Sequence, residues 1–134
     1  MTDAQYGWLF LKSMLITQTV EVPIAWLLFS MILKRKNKSC DQTSRFPLIP
    51  GSSSRIIAAA VICNLTTLPW LWYVYPGLMT YSHSVLLGEI TAFGVEALIY
   101  QLIIGAGYRS SLFVSAVANT ASIGVGLLIM PPWG

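Results

Sequence analysis

The sequence predicts an all-α membrane protein with four transmembrane helices. Of its 134 residues, 55% are hydrophobic and 10% charged, and the mean hydropathy is +0.67. Six of the eight basic residues fall between Lys34 and Arg55, leaving long uncharged runs elsewhere. A soluble domain spreads its charges over its surface. A chain that gathers them in one segment has surface elsewhere that faces something other than water. Its length leaves room for one domain, residues 1–134.

A helix needs about 20 apolar residues to cross the hydrocarbon. Four segments reach that length, roughly 7–33, 56–76, 84–106 and 111–131. The first apolar run is too long for a signal peptide, follows no basic segment and precedes no small-x-small cleavage site, so it is expected as a retained helix. The second span starts after Arg55 and closes on the aromatic run Trp70, Trp72, Tyr73 and Tyr75. Pro23 and Pro69 are expected to interrupt the first and second spans, as kinks that free backbone carbonyls. In the third span Gly88, Thr91, Ala92 and Gly94, with Gly105 and Gly107 at its end, are expected to let helices approach closely. The fourth span follows Arg109 and ends before Trp133.

Four crossings put both termini on one side. Lys34, Arg35, Lys36, Lys38, Arg45 and Arg55 follow the first span and Arg109 follows the third, whereas Pro76–Ser82 carries no basic residue. The positive-inside bias therefore predicts a cell-membrane protein with loop 34–55 cytoplasmic and both termini outside. Trp8, Trp133 and the aromatic run of the second span form the expected outer belt. The loop, with Pro47, Pro50, Gly51 and Ser52–Ser54, leaves no room for a soluble catalytic domain. Its charge lies beside a membrane end, where it sets topology, so nucleic acid is not an expected partner. Cys40 and Cys63, one in the loop and one in a span, are not expected to pair. The glycosylation sequons at Asn37 and Asn64 fall in the cytoplasm and the bilayer on this topology and read as chance.

Val20–Leu27 aligns with Val95–Leu102 through Val, Glu, Ile and Leu, and Ala60–Asn64 aligns loosely with Ser115–Asn119. The repeating unit would be a glutamate helix followed by an asparagine helix. Its two parallel hairpins would be related by a pseudo-twofold axis along the membrane normal.

All three glutamates fall inside spans. At about 1.5 Å per residue, Glu21, Asn64, Glu96 and Asn119 lie roughly 12–18 Å from the cytoplasmic ends and share one layer. Thr17, Gln18 and Thr19, then Thr66 and Thr67, add polar groups to the first and second spans, and Ser115, Asn119, Ser122 and Gly126 follow one face of the fourth. Glu89, Glu96 and Tyr100 form a stripe along the third. A carboxylate at the bilayer centre costs at least about 2.5 kcal/mol, so such groups face protein or water. With no cationic side chain in the layer, Glu21 and Glu96 are expected to share a proton, to be protonated together, or to hold a cation. Oxygen ligands of this kind suit a hard ion, Na, Mg or Ca. No other cofactor is expected. Near the outer face, Lys12 and Glu89 are placed to form an ion pair or gate, and His83 to relay protons.

These residues point to binding or translocation of a cation, proton or small cationic solute, with Glu21, Glu96, Asn64, Asn119, Thr67, Ser115, Ser122 and Tyr100 as the candidate site. Because four helices rarely enclose a path alone, a homodimer or larger complex in the lipid bilayer is expected. The alternative is a non-catalytic subunit or assembly factor whose polar layer is interhelical glue. An intramembrane enzyme with paired carboxylates is disfavoured, because no nucleophile, histidine-rich metal or phosphate-binding motif accompanies them.

Overall fold

The computed structural model describes residues 2–39, 52–78 and 80–129, and among these there is no strand. Helix α1 runs Asp3–Ser39 and α2 runs Ser52–Pro69. A π-helical segment, Trp70–Val74, and a single turn α3, Tyr75–Leu78, extend α2, followed by α4, Tyr81–Ile104, and α5, Tyr108–Ile129. Among the described residues, four stretches are long and apolar enough to cross a membrane: Asp3–Arg35, Ser53–Leu78, Leu86–Ile104 and Tyr108–Ile129.

Each long helix packs against two others. Helix α1 contacts α2 and α5, and α4 contacts the same pair from the opposite corner. Sequential spans alternate in direction, so every packed pair is antiparallel, and α1 and α4 stand diagonally across the bundle. The N-terminus of α1, the α3 turn and the C-terminus of α5 share one end, called here the terminal end. The other end, where α1 leads into residues 40–51 and α4 turns into α5, is the loop end. Large apolar side chains such as Leu15, Leu65, Leu102 and Leu128 are exposed around the outside, as a lipid-facing surface requires.

The predicted boundaries shift in ways the residues explain. Helix α1 continues past Leu33 through Ser39 and α2 already starts at Ser52, so both ends of the predicted loop 34–55 are helical. Lys and Arg are good helix formers and their long side chains can reach out to the headgroups. Cys40, Arg45, Pro47, Pro50, Gly51 and Trp133 lie outside the described residues.

Pro23 does not interrupt α1, which is helical on both sides of it, and its ring is exposed on the outer face. Pro69 does mark a change, because the α-helix gives way to the π segment immediately after it. Among the predicted packing glycines, Gly88 fits the expectation: a Cβ there would collide with the Leu71 side chain. Gly94 does not, since a Cβ there would meet nothing within 4 Å. Gly105 and Gly107 serve the turn instead. Gly105 ends α4 at φ 70, where a left-handed residue is needed, and its N–H donates to Gln101 O at 3.0 Å. The Gly107 N–H donates to the Gln101 side-chain oxygen at 2.9 Å.

Candidate functional site

At the loop end the bundle is closely packed. Ala25, Phe29, Ile56, Ala59, Ala60, Cys63, Tyr100, Ala106 and Val114 form one buried cluster. The alanines let the helices approach, and the Phe29 and Tyr100 rings fill the middle edge to face, with centroids 5.0 Å apart. The buried Cys63 thiol lies 3.8 Å from Glu96 O, to which it donates, and it faces the Tyr100 hydroxyl.

One layer toward the terminal end, Glu21, Asn64 and Glu96 are each 1% exposed, and Asn119 and Ser122 are buried beside them. The two carboxyl groups are held differently. Glu96 has three donors from two neighbouring helices: Thr67 Oγ1 of α2 at 3.2 Å, and Ser115 Oγ of α5 at 2.9 Å together with the Asn119 amide. That amide also donates to Ser115 O at 3.0 Å, which holds it in place. Glu21 receives one hydrogen bond, from Ser122 Oγ of α5 at 2.5 Å. Asn64 of α2 interacts with the Glu21 carboxyl group from the side, but among the described residues its fully enclosed Nδ2 makes no well-aligned hydrogen bond.

Two hydroxyl groups set what the layer can do. Ser122 has one hydroxyl hydrogen and two acceptors in reach, Glu21 Oε1 at 2.5 Å and Asn119 O at 3.0 Å. Thr67 sits likewise between Glu96 Oε1 at 3.2 Å and Cys63 O at 3.0 Å. When the carboxyl group is ionised, the hydroxyl donates to it. When it is protonated, the hydroxyl turns to the carbonyl and accepts the carboxyl proton. Both glutamates thus have a hydroxyl that can satisfy either protonation state without moving a helix.

On the terminal side of this layer the bundle opens into a cavity of about 380 Å³. Its floor includes Glu21, Asn64, Thr67, Glu96, Asn119 and Ser122, and its walls include Ile16, Leu68, Leu71, Ile123 and Gly126. Tyr6, Trp72 and Pro76 line it near the terminal end. The Tyr6 hydroxyl donates to the Trp72 carbonyl, tying α1 to the π segment, and the two rings pack edge to face at 5.5 Å. Glu89 also lines the cavity, so Glu21, Glu89 and Glu96 all face it, with no Lys, Arg or His among the described lining residues.

The structure thus brings most of the sequence-derived candidates together, and it separates others. Ser115 touches Glu96 without lining the cavity, and Tyr100 lies below the layer as part of the packed core. No Lys12–Glu89 ion pair forms: Lys12 is exposed, with Nζ 5.6 Å from the centroid of the Trp8 ring, while Glu89 faces inward. A lysine near a membrane end gains more from water and an aromatic face than from burial. His83 is exposed outside the cavity, its Nδ1 2.6 Å from Thr80 Oγ1.

Several polar groups assigned to stripes face outward instead. Thr19 and Thr66 are exposed and each donates to the carbonyl four residues back at 2.7 Å, as Thr91 and Thr120 do. The sequence reading missed Ile16, Leu71, Trp72 and Ile123 as cavity walls, because nothing in an apolar run marks which members border a void. Compared with protein-family models, curated proteins and solved structures, the chain matches none.

Proposed function

We propose that this protein binds, and as a homo-oligomer translocates, a cation, proton or small cationic solute at the Glu21–Glu96 layer. One observation carries it: a cavity that ends on two buried carboxyl groups and has no basic side chain among its described lining residues. Such a site repels anions and neutralises a positive guest, and the dual-use hydroxyls of Ser122 and Thr67 accommodate a carboxyl group that gains and loses a proton. The loop-end core closes the opposite side, as expected of one state of a carrier that exposes its site to one face at a time. A sodium, magnesium or calcium ion fits the same oxygen donors. On this proposal the basic loop is cytoplasmic, the termini lie outside, and the protein is not an enzyme. The two hairpins act as parallel halves, which the diagonal placement of α1 and α4 supports.

The test uses proteoliposomes loaded with a pH dye, comparing the unaltered protein with Glu21→Gln and Glu96→Gln. Both variants keep size and most hydrogen bonds, so they are expected to express and stay monodisperse while cation-driven proton or solute flux disappears. Flux retained in both variants would refute the proposal. A second reading, a subunit or assembly factor held together by its polar layer, is favoured by the three donors on Glu96. It predicts that Glu96→Gln acts on assembly.

A further inference from the structure

The cavity holds a third carboxyl group that the polar layer does not use. Glu89 lies in the membrane-spanning stretch Leu86–Ile104 and lines the cavity. Among the described residues no side chain donates a hydrogen bond to it, and Lys12, the lysine within reach by sequence, turns outward to the Trp8 ring. An ionisable group inside a span is costly unless it meets protein, water or a guest of opposite charge. Glu21 and Glu96 meet hydroxyl and amide donors, whereas Glu89 meets the cavity.

Glu89 and Glu96 are seven residues apart on α4, close to two full turns, so they leave the helix on one face and stand about 10 Å apart along its axis. Negative charge is therefore placed twice, at the floor and again nearer the terminal end. The wall between these stations is mainly apolar, with Ile16, Leu68 and Ile123 and one hydroxyl, Thr17. A volume of about 380 Å³ equals the share of roughly a dozen water molecules, far more than a bare ion occupies. No three His, Cys, Asp or Glu side chains converge on a metal position among the described residues.

Resting on the cation-binding function proposed above, we propose that the ligand is a linear organic dication, two ammonium groups joined by a hydrocarbon chain. One ammonium group binds at the floor on Glu21, which receives a single hydrogen bond where Glu96 receives three. The other binds Glu89, and the chain lies along Ile16, Leu68 and Ile123. With about 2.8 Å taken up by each ammonium–carboxylate contact, nitrogens about 6–10 Å apart reach both stations, the span of about four to seven methylene groups. A monoamine of the same length leaves Glu89 facing a methyl group.

The experiment is calorimetric titration of the protein in lipid nanodiscs, with the heats of empty nanodiscs subtracted. The probes are hexane-1,6-diamine, hexylammonium, which has the chain but one charge, sodium and magnesium. The unaltered protein is expected to bind the diamine at least about tenfold more tightly than hexylammonium, the worth of one charged hydrogen bond. Glu89→Gln is expected to erase that preference while retaining hexylammonium binding. Gly126→Leu needs no backbone movement, since a Cβ at Gly126 meets nothing within 4 Å, and is expected to exclude both amines by filling the cavity. Equal affinity for the two amines, a preference that survives Glu89→Gln, amine binding that survives Gly126→Leu, or binding of sodium or magnesium alone overturns this inference. If the binding seen is lost in Glu21→Gln, the cation-binding function stands. No binding of any of the four probes overturns both.

Discussion

The two halves of this bundle are built from the same four helices and do opposite things with them. Toward the loop end, alanines at 25, 59, 60 and 106 draw the backbones together, and Phe29 and Tyr100 occupy what space is left. Toward the terminal end, the same helices enclose a cavity walled by Ile16, Leu71 and Ile123. The boundary is the layer of Glu21, Asn64, Glu96 and Asn119. Inside a membrane the two solutions differ little in hydrophobic free energy, because lipid is as apolar as a protein core, and packing alone distinguishes them. Leaving space above the carboxyl groups thus sacrifices van der Waals contact and little else, which makes a cavity an inexpensive feature in this setting.

The contrast breaks most sharply under thiol labelling. Native Cys63 is fully buried and free, so in a Cys40→Ser background a membrane-permeant maleimide is expected to leave it unmodified, whereas Ile123→Cys is expected to react fully. Labelling of Cys63 at a comparable rate would show that the loop-end half is open. Next in size are the truncations. Phe29→Ala leaves a void in the packed core and is expected to cost about 3 kcal/mol in a detergent unfolding titration, against less than about 1 kcal/mol for Ile16→Ala at the cavity wall.

The asparagines make a finer comparison within the layer. Asn119 donates to Glu96 and to Ser115 O, whereas Asn64 only sits against the Glu21 carboxyl group, its Nδ2 making no well-aligned hydrogen bond among the described residues. Asn119→Ala is therefore expected to destabilise the bundle by about 1–2 kcal/mol and Asn64→Ala by much less; equal losses would show that Asn64 is bonded after all. Smallest is the effect of the outward threonines, whose hydroxyls are satisfied within their own helices. Thr19→Val or Thr120→Val is expected to change stability by less than about 0.5 kcal/mol and to leave any oligomer seen by light scattering unaltered. A lost oligomer would instead make these residues contacts between subunits.

Composition alone determined that the chain crosses a membrane, and length determined four crossings, because about 20 apolar residues per helix leave no other arithmetic. The depth of Glu21, Asn64, Glu96 and Asn119 was legible too, since rise per residue is a constant of the helix. Only the tertiary structure decided rotation about each axis. Thr66 and Thr67 are neighbours of the same chemistry, yet one faces outward and the other bonds Glu96. In a soluble protein an apolar stripe would have told them apart, but in a helix apolar on all sides the lipid face and the core face read alike. Whether a void lies above the carboxyl groups, and which asparagine is held most firmly, depends on how four such helices interlock, and no single span records it.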